Sequence, residues 1–306
     1  MATPETTPTP RVGDLLTGGP PEDGRAPMGA IPARPAAERA RIVAAYVVMF
    51  GVALLFLVPF VWSVSTSFKT LPESVEFTLI PDEPTLEGYR TAFTTHNFGR
   101  YALNSALLAT VITLFNVFLA SLGGYAFARL RFPGREVLFF LVLGSLMVPD
   151  QLRLVPVYTM LSDWGLVSTY TGYVLIYLVQ AASLFLMRQY FLTIPRDLEE
   201  AAKLDAAGYF KTFWKVMLPL ATPALAAVTI LVFQGTWNEF FWALILLQDE
   251  GKYTIPLGIA AFSAEYRTDW PPLMAASVIA IVPITLLYVF FQRYFIAGVA
   301  ASGVKG

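Results

Sequence analysis

The chain has 306 residues, of which 56% are hydrophobic and 14% are charged, and its formal net charge is −1. Soluble domains carry about 25% charged residues, so this composition indicates a membrane protein and excludes the broad basic surface that nucleic-acid binding requires. The absence of cysteine and the presence of a single histidine, His96, argue against disulfides, thiolate metal sites and histidine-dependent catalysis.

The N-terminal segment over residues 1–37 is rich in Pro, Thr, Ala and Gly and contains few large apolar side chains. Such a segment buries too little apolar surface to offset the entropy lost on ordering, so we predict that it is disordered. It has no apolar core followed by a small-residue cleavage site, which distinguishes it from a cleaved signal peptide.

Six apolar stretches follow, and a bilayer-spanning helix requires about 20 such residues. They cover residues 42–68, 101–128, 137–161, 164–187, 216–247 and 270–292. Asp150 and Arg153 interrupt the third stretch, and we expect this polar break to lie at the membrane interface or to face a cavity. The sequence therefore predicts an all-α polytopic membrane protein with about six transmembrane helices. Its transmembrane domain covers residues 38–298, and a short tail covers residues 299–306.

The distribution of basic residues predicts the orientation in the membrane. Only six of the 21 Lys and Arg residues lie in segments that would face outward, namely Lys69, Arg90, Arg100, Arg153, Lys252 and Arg267. The others lie in the N-terminal tail, in residues 129–136 and 188–215, and at the C-terminus. Because Lys and Arg are in excess in cytoplasmic loops, we predict a multi-pass protein of the inner (cytoplasmic) membrane with both termini in the cytoplasm.

The cytoplasmic segment 195–219 carries the pattern of a short amphipathic helix. Asp197 and Glu200 have the spacing of a capping box, which predicts a helix that begins at Leu198, and Gly208 is placed to end it. The apolar side of this helix holds Leu198, Ala201, Ala202 and Leu204. Such a patch suits docking into a groove of a partner protein or resting on lipid, and the residues alone leave both alternatives open.

The same segment resembles the Glu-Ala-Ala loop of binding-protein-dependent transport permeases. The family pattern is Glu-Ala-Ala, three residues, Gly, nine residues and then Ile-x-Leu-Pro. This chain has Glu200-Ala201-Ala202, then Ala206 in place of the family glycine, and Val216-Met217-Leu218-Pro219. We expect Gly208 to supply the turn instead. The resemblance implies a cytoplasmic coupling helix held by an ATP-hydrolysing subunit, with a coupling set of Glu200, Ala201, Ala202, Asp205, Ala206, Gly208 and Pro219.

After about residue 40 the chain resembles the smaller, six-helix permease of maltose-type sugar importers. Matching stretches are Asn104-Ser105, Tyr125-Ala126-Phe127-Ala128-Arg129, Met147-Val148-Pro149, Trp237-Asn238, Phe295-Ile296-Ala297-Gly298 and Gly303-Val304-Lys305-Gly306. The resemblance implies import of an oligo- or disaccharide by alternating access. It further implies as partners a pair of ABC ATPase subunits, a second homologous permease and an extracellular or periplasmic sugar-binding protein. ATP and Mg would bind to the ATPase subunits, so we expect no cofactor, metal or catalytic residue on this chain, which also lacks a P-loop.

Four residues of the fifth apolar stretch are candidates for the substrate path, namely Gln234, Trp237, Asn238 and Glu239. Amides beside an aromatic ring suit a sugar, whose hydroxyls need hydrogen bonds while its apolar face stacks on the ring. A charged group within the membrane usually faces a cavity or a partner. The same residues suit bonds between helices or to the partner permease, and Asp150 with Arg153 suits a structural ion pair.

Two other functions remain open at this point. One is a permease of the same class for another solute, such as glycerol phosphate or an oligopeptide. The other is an ion-coupled secondary transporter, which would favour intramembrane charged relays and internal repeats, and the sequence displays neither. A membrane enzyme is disfavoured because no paired carboxylates or Ser/His/Asp set occupies a plausible site.

Overall fold

The computed structural model describes residues 36–204, 206, 208–264 and 267–303. These residues form α-helices joined by short connections, with one antiparallel pair of two-residue strands, and the all-α prediction is confirmed. The chain divides into two compact units, Met1–Leu57 and Val58–Gly306, and the described part of the first unit is helical. The predicted disordered tail lies outside the described residues, except for its last two positions, which begin the first helix.

Three helices are long, namely α1 (Ala36–Thr66), α3 (Phe98–Arg129) and α14 (Trp270–Gly303). The shorter helices are α2 (Glu87–Thr94), α4 (Arg135–Ser145), α5 (Asp150–Asp163), α6 (Tyr170–Leu175), α7 (Ala181–Thr193), α8 (Asp197–Leu204), α9 (Tyr209–Thr212), α10 (Leu218–Leu220), α11 (Thr222–Trp237), α12 (Phe241–Leu246) and α13 (Ile255–Ala260). Single 3-10 turns cover Glu73–Val75 and Glu250–Lys252, and a π-helical turn covers Phe213–Met217. Strands β1 (Ser263–Ala264) and β2 (Arg267–Thr268) pair with Ser263 opposite Thr268.

Within the described residues, three helices are long and apolar enough to cross a bilayer, namely Ala40–Thr66, Phe98–Arg129 and Trp270–Gln292. They correspond to the first, second and sixth predicted spans. Two bent pairs of helices raise the number to five if each pair counts as one span. The first pair is α4 with α5, bent by 102°, and the second is Tyr209–Leu220 with Thr222–Trp237, bent by 77°. The fourth predicted span is divided between α6 and α7. The count of six spans stays a prediction.

Prolines explain where the bent pairs break. Pro149 lies immediately before α5 and has extended backbone angles itself. A proline also disfavours helical geometry in the residue before it, which here is Val148. Asp150 then opens α5, where the helix dipole favours a negative charge. At the second bend, Pro219 and Pro223 lie in the first turns of α10 and α11, where the missing N–H has no helical partner to lose.

Helix α3 lies at the centre of the second unit and packs against α7 and α11. Many of its buried side chains are small or polar, including Asn104, Ser105, Ala109, Ala120 and Gly124. Small residues let membrane helices approach closely, since lipid supplies no hydrophobic force between them. Helices α3 and α7 approach closely at Gly124, where an added Cβ would lie 2.6 Å from the Cβ of Met187 and 2.9 Å from the backbone nitrogen of Arg188.

Polar contacts join the beginning of α3 to the loop before α13. The amide nitrogen of Asn104 donates to the carbonyl oxygens of Gly251 at 3.1 Å and Tyr253 at 2.9 Å. The hydroxyl of Ser105 accepts from the N–H of Ile255 at 2.8 Å. The Asn104-Ser105 motif therefore fixes the position of a loop that the basic-residue pattern predicts to lie outside.

Candidate functional site

Helix α8 forms the first part of the predicted coupling segment. It begins at Asp197, one residue before the predicted start, and the N–H of Glu200 donates to the carbonyl oxygen of Arg196 at 3.1 Å. The predicted capping box is therefore wrong, because a main-chain hydrogen bond satisfies this N–H. Asp197, Glu199 and Glu200 all lie in the first turn, where the positive end of the helix dipole favours carboxylates.

The turn after α8 is made by Ala206 and not by Gly208. Ala206 has a φ of +53°, in the left-handed region, which costs a residue with a Cβ roughly 1–2 kcal/mol. Gly208 has extended angles (φ −69°, ψ 165°) and accepts a hydrogen bond from the N–H of Thr212 as α9 begins. The expectation that Gly208 ends the helix is therefore wrong. The left-handed turn falls at the position where the resembled pattern has glycine, the residue that adopts this conformation without a steric penalty.

Replacing Ala206 with Gly should stabilise the protein. Relief of the left-handed strain, roughly 1–2 kcal/mol, exceeds the 0.4–1 kcal/mol or so lost through greater freedom of the unfolded chain. We expect a gain of about 0.5–1 kcal/mol, seen as a rise of roughly 1–4 °C in the unfolding temperature in detergent. The matched control is Ala201→Gly within α8, which should lose about 1 kcal/mol. Equal destabilisation by both changes would contradict the left-handed turn.

Large apolar side chains of this segment are exposed. The exposed fraction is 89% for Leu204 and 70% for Phe210. We define the coupling surface as the exposed apolar residues Leu198, Ala201, Leu204, Tyr209, Phe210 and Trp214. The rings of Phe210 and Trp214 lie 6.1 Å apart. A concentration of exposed apolar groups beside charged residues marks an interaction surface.

The structure describes three further members of the predicted coupling set. Glu200 is exposed in the first turn of α8, and Ala202 is half-buried. Pro219 is exposed in the first turn of α10. Asp205 lies outside the described residues.

A cavity of about 790 Å³ lies where three helix breaks meet. Its wall includes residues from the α4–α5 break (145–150), from the connection between α6 and α7 (175–182) and from the end of α11 and the start of α12 (235–242). Within a membrane, irregular backbone is tolerated where it is buried in protein or lines a water-filled cavity. Three of the breaks that interrupt the predicted spans thus line this one cavity.

Charged and aromatic side chains line the cavity. Asp150 and Arg153 form an ion pair there, and the polar break predicted from the sequence faces this space. A carboxylate oxygen of Glu239 accepts from the main-chain N–H of Trp242 at 3.0 Å, and the indole of Trp242 also lines the cavity. Trp164 adds a second indole, and Tyr177 and Gln180 add polar groups. No group of three or more His, Asp or Glu side chains suited to a metal ion occurs within the described residues.

The structure separates the four residues predicted for the substrate path. Glu239 lines the 790 Å³ cavity, whereas Trp237 and Asn238 line a second cavity of about 370 Å³. Trp237 is buried, and its indole N–H donates to the carbonyl oxygen of Ala280 at 3.0 Å. Gln234 is exposed, and its main-chain carbonyl oxygen accepts from the side-chain amide of Asn238 at 3.0 Å.

Residues 116–300 match the family described as "Binding-protein-dependent transport system inner membrane component". The arabinooligosaccharides transport system permease protein AraQ of Halalkalibacterium halodurans is 36% identical over 260 residues, which cover 83% of this chain and 93% of that protein. The trehalose/maltose transport system permease protein MalG of Thermococcus litoralis is 36% identical over 259 residues, with coverage of 83% and 93%. Among solved structures, a bacterial ABC transporter involved in the import of the acidic polysaccharide alginate has a chain with a TM-score of 0.76 at 26% identity. That match covers 86% of this chain and 99% of the other.

Proposed function

Because the chain belongs to the family of binding-protein-dependent transport system inner membrane components, we propose that it is the permease subunit of an ATP-binding-cassette importer that moves a sugar into the cell by alternating access. The resemblance predicted from the sequence is confirmed, and the chain is an integral membrane protein. The observation that carries the proposal is the similarity to sugar-transport permeases, which extends over more than four fifths of the chain.

The coupling surface is the proposed contact with the ATPase. A helix that rests on lipid carries mainly Lys and Arg on its polar side, whereas the exposed charges in the first turn of α8 are the carboxylates of Asp197 and Glu200. An apolar patch with a charged rim is typical of a protein interface. We therefore assign this surface, with Glu200, Ala206, Gly208 and Pro219 around it, to docking with a separate ATP-hydrolysing subunit, of which the importer would hold two.

The 790 Å³ cavity is the proposed sugar path. Asp150 already neutralises Arg153, and Glu239 adds a further carboxylate. A uronate or a phosphate ester would meet this excess negative charge, whereas a neutral sugar finds hydrogen-bonding groups and the rings of Trp164 and Trp242. We therefore propose a neutral oligo- or disaccharide and disfavour glycerol phosphate. A test panel of arabinotriose, maltose, trehalose, an alginate oligosaccharide and glycerol phosphate spans these alternatives.

The other partners and the location follow from the family and from the charge pattern. We propose a second homologous permease, a sugar-binding protein on the outer face, and ATP with Mg held by the ATPase subunits. The C-terminal tail would reach the interface between those ATPase subunits. The excess of basic residues in the N-terminal tail and in the segments 129–136 and 188–215 supports an inner-membrane protein with both termini in the cytoplasm.

Purification of the tagged chain from membranes of its own host tests the partner assignment. We expect mass spectrometry to identify an ATPase subunit with a P-loop and a second permease in comparable amounts, and the sample to hydrolyse ATP. The variant Leu204→Glu places a charge in the centre of the coupling surface, so it should lose the ATPase subunit and retain the second permease. Wild-type chain that purifies in good yield without any P-loop ATPase would contradict the proposal.

A further inference from the structure

The end of helix α3 holds the coupling segment at both of its ends. Arg129, the last residue of α3, contacts the chain where it enters α8, and Tyr125, one turn earlier, contacts the chain where it leaves α9. We propose that Arg129 and Tyr125 are positioning residues that transmit movement of the coupling surface to the transmembrane helices. This inference rests on the proposed function and assigns a role to the Tyr125–Arg129 motif.

Arg129 makes the contact on the entry side. Its guanidinium donates to the carbonyl oxygens of Phe191 and Ile194, at the C-terminal end of α7. Its Nε lies 3.2 Å from a carboxylate oxygen of Glu199 in α8, as an ion pair and not an aligned hydrogen bond. The exposed fractions of the two side chains are 4% for Arg129 and 12% for Glu199. One planar cation therefore connects three helices, because a guanidinium presents several donors in a fixed fork.

Tyr125 makes the contact on the exit side. Its buried ring lies 5.2 Å from the ring of Phe213, which belongs to the π-helical turn after α9. The same ring packs edge-to-face against Phe191 at 5.8 Å. Aromatic pairs at these distances stabilise the contact by more than the burial of their area alone, so they hold the two segments together. The coupling segment is thus anchored to α3 by an ion pair at one end and by an aromatic cluster at the other.

Helix α7 gives this contact a route to the cavity. Its C-terminal end is held by Arg129, and its first residues, Ala181 and Ala182, line the cavity. The helix has 13 residues and is about 20 Å long. It lies in backbone contact with α3 at Gly124, so neither helix can shift there without the other. A displacement of α8 would therefore move α7 and α3 together, and with α7 the cavity wall at Ala181 and Ala182.

The alternative is that the ion pair of Arg129 and Glu199 has a purely structural role. A mild substitution would then impair assembly, whereas loss of a positioning role would impair stimulation and leave assembly intact. Glu199→Gln keeps the size of the side chain and removes its charge. Arg129→Lys keeps the charge and loses the fork that reaches the carboxylate and the carbonyl oxygens together. The matched control is Arg131→Gln, since Arg131 is exposed two residues further along the chain.

The test is ATP hydrolysis by the purified complex with and without binding protein loaded with the panel sugar that stimulates the wild type most. For Glu199→Gln and Arg129→Lys we expect normal assembly and basal hydrolysis within about two-fold of the wild type. Stimulation should fall about ten-fold, within the range of coupling between sites. The double variant should be no worse than the poorer single variant, because both act through one contact. Arg131→Gln should behave as the wild type.

Two results would overturn the inference without touching the proposed function. If Glu199→Gln retains wild-type stimulation, the contact does not transmit movement. If Glu199→Gln fails to assemble, the ion pair is structural. A wild-type complex that binds its partners but shows no stimulation by any sugar of the panel would refute the proposed function, and the positioning role with it.

Discussion

Replacement of Glu200 by Lys is expected to reduce sugar uptake about 100-fold while the permease still inserts into the membrane. Glu200 is exposed in the first turn of α8, and a positive charge at this end of the helix dipole costs only about 0.3–1 kcal/mol. That cost is too small to unfold the packed helices. At the proposed interface, however, a reversed charge costs several kcal/mol, and each 1.4 kcal/mol corresponds to about a ten-fold loss of affinity.

Uptake and stimulated ATP hydrolysis in reconstituted vesicles measure this effect, with the expression level as a check on insertion. The matched control is Asp163→Lys, which reverses an exposed charge at the end of α5, a helix that contributes no residue to the coupling surface. It should leave uptake unchanged. Normal uptake by fully inserted Glu200→Lys would remove the coupling assignment and favour a helix that rests on lipid.

Replacement of Gly124 by Leu is expected to destabilise the fold strongly. The first added atom would already lie 2.6 Å from the Cβ of Met187 and 2.9 Å from the backbone nitrogen of Arg188, so α3 and α7 must move apart. Overpacking by single methylenes costs about 1–3 kcal/mol, and leucine adds four carbons against a backbone. We expect a loss of at least about 3 kcal/mol, which corresponds to an unfolding temperature lower by roughly 6–12 °C.

Thermal unfolding in detergent, together with the yield of monodisperse protein, measures this loss. The matched control is Gly144→Leu on α4, because no atom outside its local surroundings lies within 4 Å of a Cβ added at Gly144. It should retain the wild-type unfolding temperature within about 2 °C. A Gly124→Leu protein as stable as the wild type would contradict the close contact between α3 and α7.

The long apolar helices and the place of the coupling segment could be predicted from the sequence. Hydropathy locates α1, α3 and α14 because each contains more than 20 consecutive residues without a charge. The spacing of Asp197 and Glu200 locates the start of α8 to within one residue, although no capping box forms. The charges of Asp150 and Arg153 marked the break within 137–161, but its bend of 102° could not be predicted from them. The break between α6 and α7 could not be placed at all, because residues 164–187 form an apolar run without a charge.

Finer features of the site depend on contacts that sequence spacing does not reveal. Ala206 has the left-handed conformation although alanine ordinarily favours helix, so propensity pointed to Gly208 instead. The pairing of Arg129 with Glu199 joins residues 70 positions apart. A signal was present in the Tyr125–Arg129 motif, whose four-residue spacing places both side chains on one face of α3. Its partners became visible only in the packed structure.

ATP-dependent uptake of the test panel by vesicles that contain the assembled complex tests the central claim most directly. We expect uptake of at least one neutral sugar, and this uptake should require both the loaded binding protein and ATP on the side of the coupling surface. Vanadate, an inhibitor of the ATPase cycle, should abolish that uptake. Uptake driven by an ion gradient without ATP would contradict the proposed function, and ATP-dependent uptake confined to the alginate oligosaccharide or glycerol phosphate would contradict the proposed substrate class.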